Sequence, residues 1–359
     1  MDKKAKIVLP ILAGIALVYV IVAARPLLKE IQFKPEWTID TEITTIDLNE
    51  SKDFSNSVHF KLGQDLLYVS PNGEILNKIS FPYKATASKN FYTVYGTSSE
   101  DFDFFTPDGK KAGKIQGTGF PYFSEDKKYL MLPGGASFVM LNEDGTHKWL
   151  FEGATPLTAF SASETGTVAG FADGTVMAFN NEGEITQQYK PGGSTYEVIL
   201  GAAVSKNSEY VATLSGQDSQ RFVISKRLSQ SLGSNASIIF YKTMKEELNR
   251  QVLIKFSRDE KNVYYSCASG LGVVNLKTLK ETIIPISGNI LSILESDSGK
   301  EIFVLSRQKE KCTVSIVEGF DVLAGSFTFT AGSAAIATSE SALFVGRDNK
   351  ISKISIEHK

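Results

Sequence analysis

Short apolar runs dominate the chain from residue 37 onward. "SFVML" (Ser137 to Leu141), "TVAGF" (Thr167 to Phe171) and "NVYYS" (Asn262 to Ser266) are typical, each bounded by Gly, Asn, Asp, Ser or Pro. Runs of this length between turn residues predict β-strands. No segment there carries a 3.6-residue apolar period of helical length, which excludes a stack of helix pairs. One stretch breaks the pattern. Ile7 to Ala24, "IVLPILAGIALVYVIVAA", has 18 residues without a charge, flanked by Lys3, Lys4 and Lys6 before it and Arg25 and Lys29 after it. At 1.5 Å per residue it reaches roughly 27 Å, close to the thickness of a bilayer's hydrocarbon core.

The strand runs are punctuated at regular intervals. In "NEDGTHKWLF" an Asp-Gly corner joins two apolar runs, which predicts a β-hairpin with a two-residue type I′ turn. Its Gly145 has counterparts at Gly73, Gly109 and Gly183, at intervals of 36, 36 and 38 residues. A second corner, Ser followed by charged or polar residues, begins at Ser51, Ser88, Ser124, Ser163, Ser205, Ser257, Ser296 and Ser339. The two keep phase: Ser88 to Gly109, Ser124 to Gly145 and Ser163 to Gly183 are 21, 21 and 20 residues apart. Unrelated turns would not keep step.

About four strands per unit of about 40 residues, repeated eight times, predict an all-β, eight-bladed β-propeller, with seven blades as the alternative. The last unit ends one strand short, and "FKPEWTI" (Phe33 to Ile39) is a strand-like run left over at the other end. Pairing the two would complete the last blade and remove open sheet edges. Small residues in "GAAVS" and "SAAIATS" suit inner strands crowded around an axis. The expected organisation is a short cytoplasmic tail (1–6), a transmembrane helix (7–24), a linker (25–36) and the propeller (37–359). A cleaved signal peptide is the rival reading of the apolar stretch, because Val22-Ala23-Ala24 has small residues where a peptidase could cut. With the six-residue tail left inside, the propeller lies on the periplasmic or extracytoplasmic side of the cytoplasmic membrane.

"FSEDKKYLML" and "FSRDEKNVYYS" resemble the corner of WD-repeat and related bacterial propellers. "LNEDGTHKWLF", with Gly145 and Trp149, is similar to the Gly-x-x-x-Trp hairpin of quinoprotein-dehydrogenase-like propellers. The resemblance covers roughly residues 37 to 359 and implies the propeller superfamily rather than one activity. The Gly-His and Trp-Asp pairs of true WD repeats are missing.

A formal charge of −2, from 38 basic and 40 acidic residues well mixed, leaves no electrostatic footprint for nucleic acid. Cys267 and Cys312, the only cysteines, are too few for a disulfide scaffold; they are read as buried thiols, with a disulfide between neighbouring units as the alternative. The chain has three histidines, His59, His147 and His358, and no metal, phosphate-loop or nucleophile-elbow motif. Asp103, Asp144 and Asp173 sit at or near turns, where Asp serves the backbone. The expectation is a protein without catalytic residues, cofactor or metal.

What remains is a docking role. Phe102, Phe120, Tyr122 and Tyr196 lie in segments read as loops of one propeller face, with Arg221 nearby, and aromatic residues with Arg make interface hot spots. Phe120 and Tyr122 equally suit a cap on the apolar wedge between sheets. The 52 residues from Ser205 to Ser257 hold about ten extra, placed within 229–251, as a helical turn or a charged hairpin tip. The sequence therefore points to a membrane-anchored, non-catalytic scaffold for other envelope proteins. A small-molecule sensor using the central channel is the alternative, and a quinoprotein-like enzyme the third.

Overall fold

The computed structural model describes residues 31–43, 52–97, 100–228, 236–340 and 342–358, and within them every regular element is a strand. The transmembrane stretch 7–24 lies outside the described residues. Among those described, no helix is long and apolar enough to cross a membrane.

The strands form eight antiparallel sheets, seven of four strands and one of three. Within each sheet the strands follow in chain order, with one exception that closes the ring. Ile31–Asp40 pairs with Lys350–His358, from Ile31 opposite His358 to Asp40 opposite Lys350, and becomes the outermost strand of the eighth sheet. The fold is thus an eight-bladed propeller, and its closing strand begins at Ile31, six residues ahead of Trp37. The three-stranded sheet, Val58–Leu62, Asp65–Val69 and Ile75–Ser80, is the first. The run ahead of it, with the predicted Ser51 corner, lies outside the described residues.

The core is divided among the blades. Eight apolar clusters fill the eight gaps between neighbouring sheets. The gap between the eighth and first sheets holds Leu343's neighbour Phe344, with Ile351, against Phe60, Leu67 and Val69, so the ring is sealed by packing as well as by pairing. Middle strands have neighbours on both faces, which makes them apolar throughout: all residues of Gly166–Phe171 and Phe138–Leu141 are buried. Outer strands such as Val322–Thr330 alternate, one face being wet. Inner strands use small residues because the next blade is close. A Cβ on Gly201 would sit 2.4 Å from the Val252 carbonyl oxygen.

Both predicted corners are present, with one correction. Several Ser corners are capped by their own hydroxyls: Ser257 Oγ accepts from the Lys261 and Asn262 amides at 3.1 and 2.9 Å, and Ser205 Oγ from the Tyr210 amide at 3.1 Å. The Gly corners are not two-residue type I′ turns. Gly145 N–H donates to the Asn142 carbonyl at 3.1 Å, Asn142 N–H to Thr146 at 2.8 Å, and Gly145 alone has positive φ, at 93°. This is a three-residue hairpin, a type I turn followed by a left-handed glycine. Gly73, Gly109 and Gly183 repeat it. Three residues beyond each glycine the outer strand bulges, at Leu76, Ala112, Lys148 and Thr186.

Candidate interaction face

One face of the ring carries the Ser and Gly corners; the other carries the connections between sheets and the loops between second and third strands. The five residues expected to share the second face are separated by the structure. Phe102 is only 2% exposed. It lies on the strand Asp101–Phe105, whose period of two turns both Phe102 and Phe104 into the wedge beside Phe123, so it does not reach the face. Tyr122 lies on an inner strand with its ring edge-on to Phe160 at 5.5 Å, and burial raises its phenol pKa. It caps a wedge, as its alternative reading held. Phe120, 46% exposed, opens the same strand, and the Lys84 ammonium stands 5.4 Å from its ring centroid.

Tyr196 and Arg221 belong together, two blades along the ring from that pair. Tyr196, 65% exposed, rides the connection between the fourth and fifth sheets. Asp218 holds it from below. The Asp218 carboxylate accepts from the Ser194 hydroxyl, from Thr195 N–H at 3.0 Å and from Tyr196 N–H at 3.3 Å. These bonds, the Ser194 hydroxyl foremost, draw its pKa down to about 2. Arg221 grips the loop's other end: Nη1 donates to the Pro191 carbonyl at 3.3 Å, and the backbone at Gly193 passes so close that a Cβ would lie 2.6 Å from Nε. Its guanidinium also covers the Tyr241 ring at 5.4 Å. Arg221 is therefore a positioning residue for the loop.

The extra residues of the fifth unit complete this corner. Ala236–Thr243 is the sheet's outer strand, and the described remainder, 244–251, is neither helix nor hairpin tip but the connection to the sixth sheet. Buried Gln220 clamps it in both directions, Nε2 donating to the Leu248 carbonyl at 2.7 Å and Oε1 accepting from Leu248 N–H at 2.8 Å. Glu247 Oε1 accepts from Ser219 N–H at 3.0 Å. Between this connection and the Tyr196 loop is an open recess of about 730 Å³, lined by Tyr196, Gln217, Asp218, Leu248 and Arg250 among others. Nothing in the sequence marked Gln220, because its partners are main-chain atoms 28 residues away.

The remaining candidates have structural partners. Asp144 and Asp173 accept from the amides and hydroxyls of Thr146 and Thr175, and Asp103 pairs with Lys111 at 2.8 Å. His147 Nε2 is 3.2 Å from the Gln116 carbonyl. Cys267 and Cys312 are buried free thiols in different wedges, which corrects the alternative of a disulfide. No group of side chains with metal-holding geometry occurs among the described residues.

With the ring on view, its kinship is plain. The chain belongs to the β-propeller protein family, whose model matches residues 1–359. It is 26% identical over 345 residues to an uncharacterised protein of Treponema pallidum (strain Nichols), covering 94% of this chain and 90% of that one. Among solved structures it resembles BamB from Moraxella catarrhalis, with a TM-score of 0.60 and 11% identity over 90% of this chain and 100% of that one. It also resembles the WD40 domain of Toxoplasma gondii coronin, with a TM-score of 0.54 and 11% identity over 93% and 88% of the two chains. At this identity the structural likenesses establish the fold.

Proposed function

We propose that this propeller is a membrane-tethered, non-catalytic platform of the cell envelope that docks protein partners on the face bearing Tyr196. The observation that carries the reading is an exposed aromatic side chain on a loop already fixed by Asp218 and Arg221, beside a recess walled by a second fixed connection. A partner meeting Tyr196 orders little at that point, so the aromatic contact is not offset by loop entropy. The tether rests on the uncharged stretch from Ile7 to Ala24, which ends only seven residues ahead of the closing strand. That spacing holds the ring close to the bilayer.

Two experiments test the reading. Alkaline carbonate should leave the full chain in the membrane fraction and release a form lacking residues 1–30; release of both refutes the tether. In affinity capture from solubilised membranes, Tyr196→Ala should weaken retention of a partner at least tenfold, on the scale of about 2 kcal/mol for a hot-spot aromatic. Ile185→Ala, an exposed change on an outer strand, should keep it. Equal retention by both variants refutes the face.

A further inference from the structure

The opposite mouth of the channel holds charges that the docking face does not use. Here the corner-side strand ends of six sheets surround a cavity of about 710 Å³, within the range of small-molecule sites. Lys255, from the sixth sheet, lines it. Its ammonium makes one hydrogen bond, to the Ile293 carbonyl on the next inner strand at 3.3 Å, and no ion pair among the described residues. Two of its three protons therefore have no acceptor among the described residues. Surrounding protein strips water from the ammonium and pushes its pKa down; Glu295 opposes this, the Arg258 guanidinium adds to it, and Glu125 opposes it.

The cavity's carboxylates differ in what they already hold. Glu295 accepts from Arg258 N–H at 2.7 Å, Asp297 pairs with the Arg258 guanidinium at 3.2 Å, and Glu340 takes the Asn56 amide at 2.7 Å. Glu125, on the third sheet, has no hydrogen bond or ion pair among the described residues, and it is exposed on a Ser corner with φ of 51°. Lys89 is exposed at the rim nearby. The third and sixth sheets stand three places apart in the ring, so Glu125 and Lys255 are opposite charges that line one opening and attract each other across it without a direct ion pair.

We infer that this mouth is a binding site for a small zwitterion of amino-acid size, its carboxylate on Lys255 and its ammonium on Glu125. A simple anion would meet Lys255 but face the acidic wall, and a simple cation the reverse. A molecule carrying both groups satisfies both sides. This site is independent of the Tyr196 face, and either can fail without the other.

The test is calorimetry and thermal shift on the full chain in detergent, using glycine, alanine, leucine and glutamate, each beside its N-acetyl and its amide derivative. At least one parent amino acid should bind saturably and raise the melting temperature, with both blocked forms weaker by tenfold or more. Lys255→Met and Glu125→Gln should each lose at least tenfold in affinity. Lys255→Met should fold, since it removes a poorly solvated cation; should it not, Glu125→Gln, at an exposed corner, carries the test alone. The inference is overturned if no parent binds, if a blocked form binds as well as its parent, or if the variants bind like the native chain.

Discussion

The indole of Trp37 lies flat against Gly73, and its Nε1 donates to the Pro71 carbonyl at 3.1 Å. Trp37 sits on the strand that closes the ring, and Gly73 in the outer hairpin of the next sheet. Trp149 and Gly183 repeat the arrangement between the third and fourth sheets, Nε1 donating to the Asn181 carbonyl at 3.1 Å. In both cases the acceptor is two residues before the glycine. The closing strand is thus docked as any outer strand is, although it comes from the other end of the sequence.

These glycines carry two constraints, a left-handed backbone and a ring in the way of any Cβ. A Cβ on Gly183, φ 85°, would lie 2.8 Å from Trp149, whereas Gly135, φ 70°, has nothing within 4 Å. Gly135→Ala should cost about 1 kcal/mol, the left-handed penalty alone. Gly183→Ala should cost about 2–4 kcal/mol, because overpacking is added. Melting temperatures should fall in that order; equal losses would show that the indole contact contributes nothing.

The Tyr196 loop should respond to acid. Asp218's pKa in the folded protein, about 2, is below the ordinary 3.8, so its bonds to Ser194, Thr195 and Tyr196 are complete above that ordinary value and are lost as pH falls through about 2. Amide exchange at Thr195 and Tyr196, corrected for the intrinsic rate, should accelerate across this window. In Asp218→Asn the acceleration should be absent, and an unchanged profile in the variant would assign the effect elsewhere.

Cys267 and Cys312 are both buried, and burial pushes the Cys267 thiol pKa up. A buried thiol with little thiolate reacts slowly. Ellman's reagent should find close to no reactive thiol in the native protein and two after denaturation. Rapid native labelling of either would place that wedge open to solvent.

Trp149, the Gly corners and the Ser corners made the repeat legible because each is a local device: a turn needs its own glycine, and a corner its own hydroxyl. Ring closure was readable for the same reason, as a strand surplus at one end and a deficit at the other. The turn type was not, since Asp-Gly ends a three-residue loop as readily as it forms a two-residue one. Phe102 was misplaced because Gly96 to Phe105 reads as loop, whereas Asp101–Phe105 is a strand and only its register shows where the ring points. Long-range partners left no trace. Gln220 meets Leu248, and Lys255 and Glu125 line one opening, only because the sheets are arranged in a circle.

Docking depends above all on the face that Tyr196 presents, and a photo-crosslinking amino acid placed there in cells tests it directly. Illumination should yield a discrete protein adduct from position 196 and none from position 279, where Leu279 is exposed on a hairpin at the corner-bearing side. Adducts of equal yield at both positions, or none at 196, would contradict a docking role for this face.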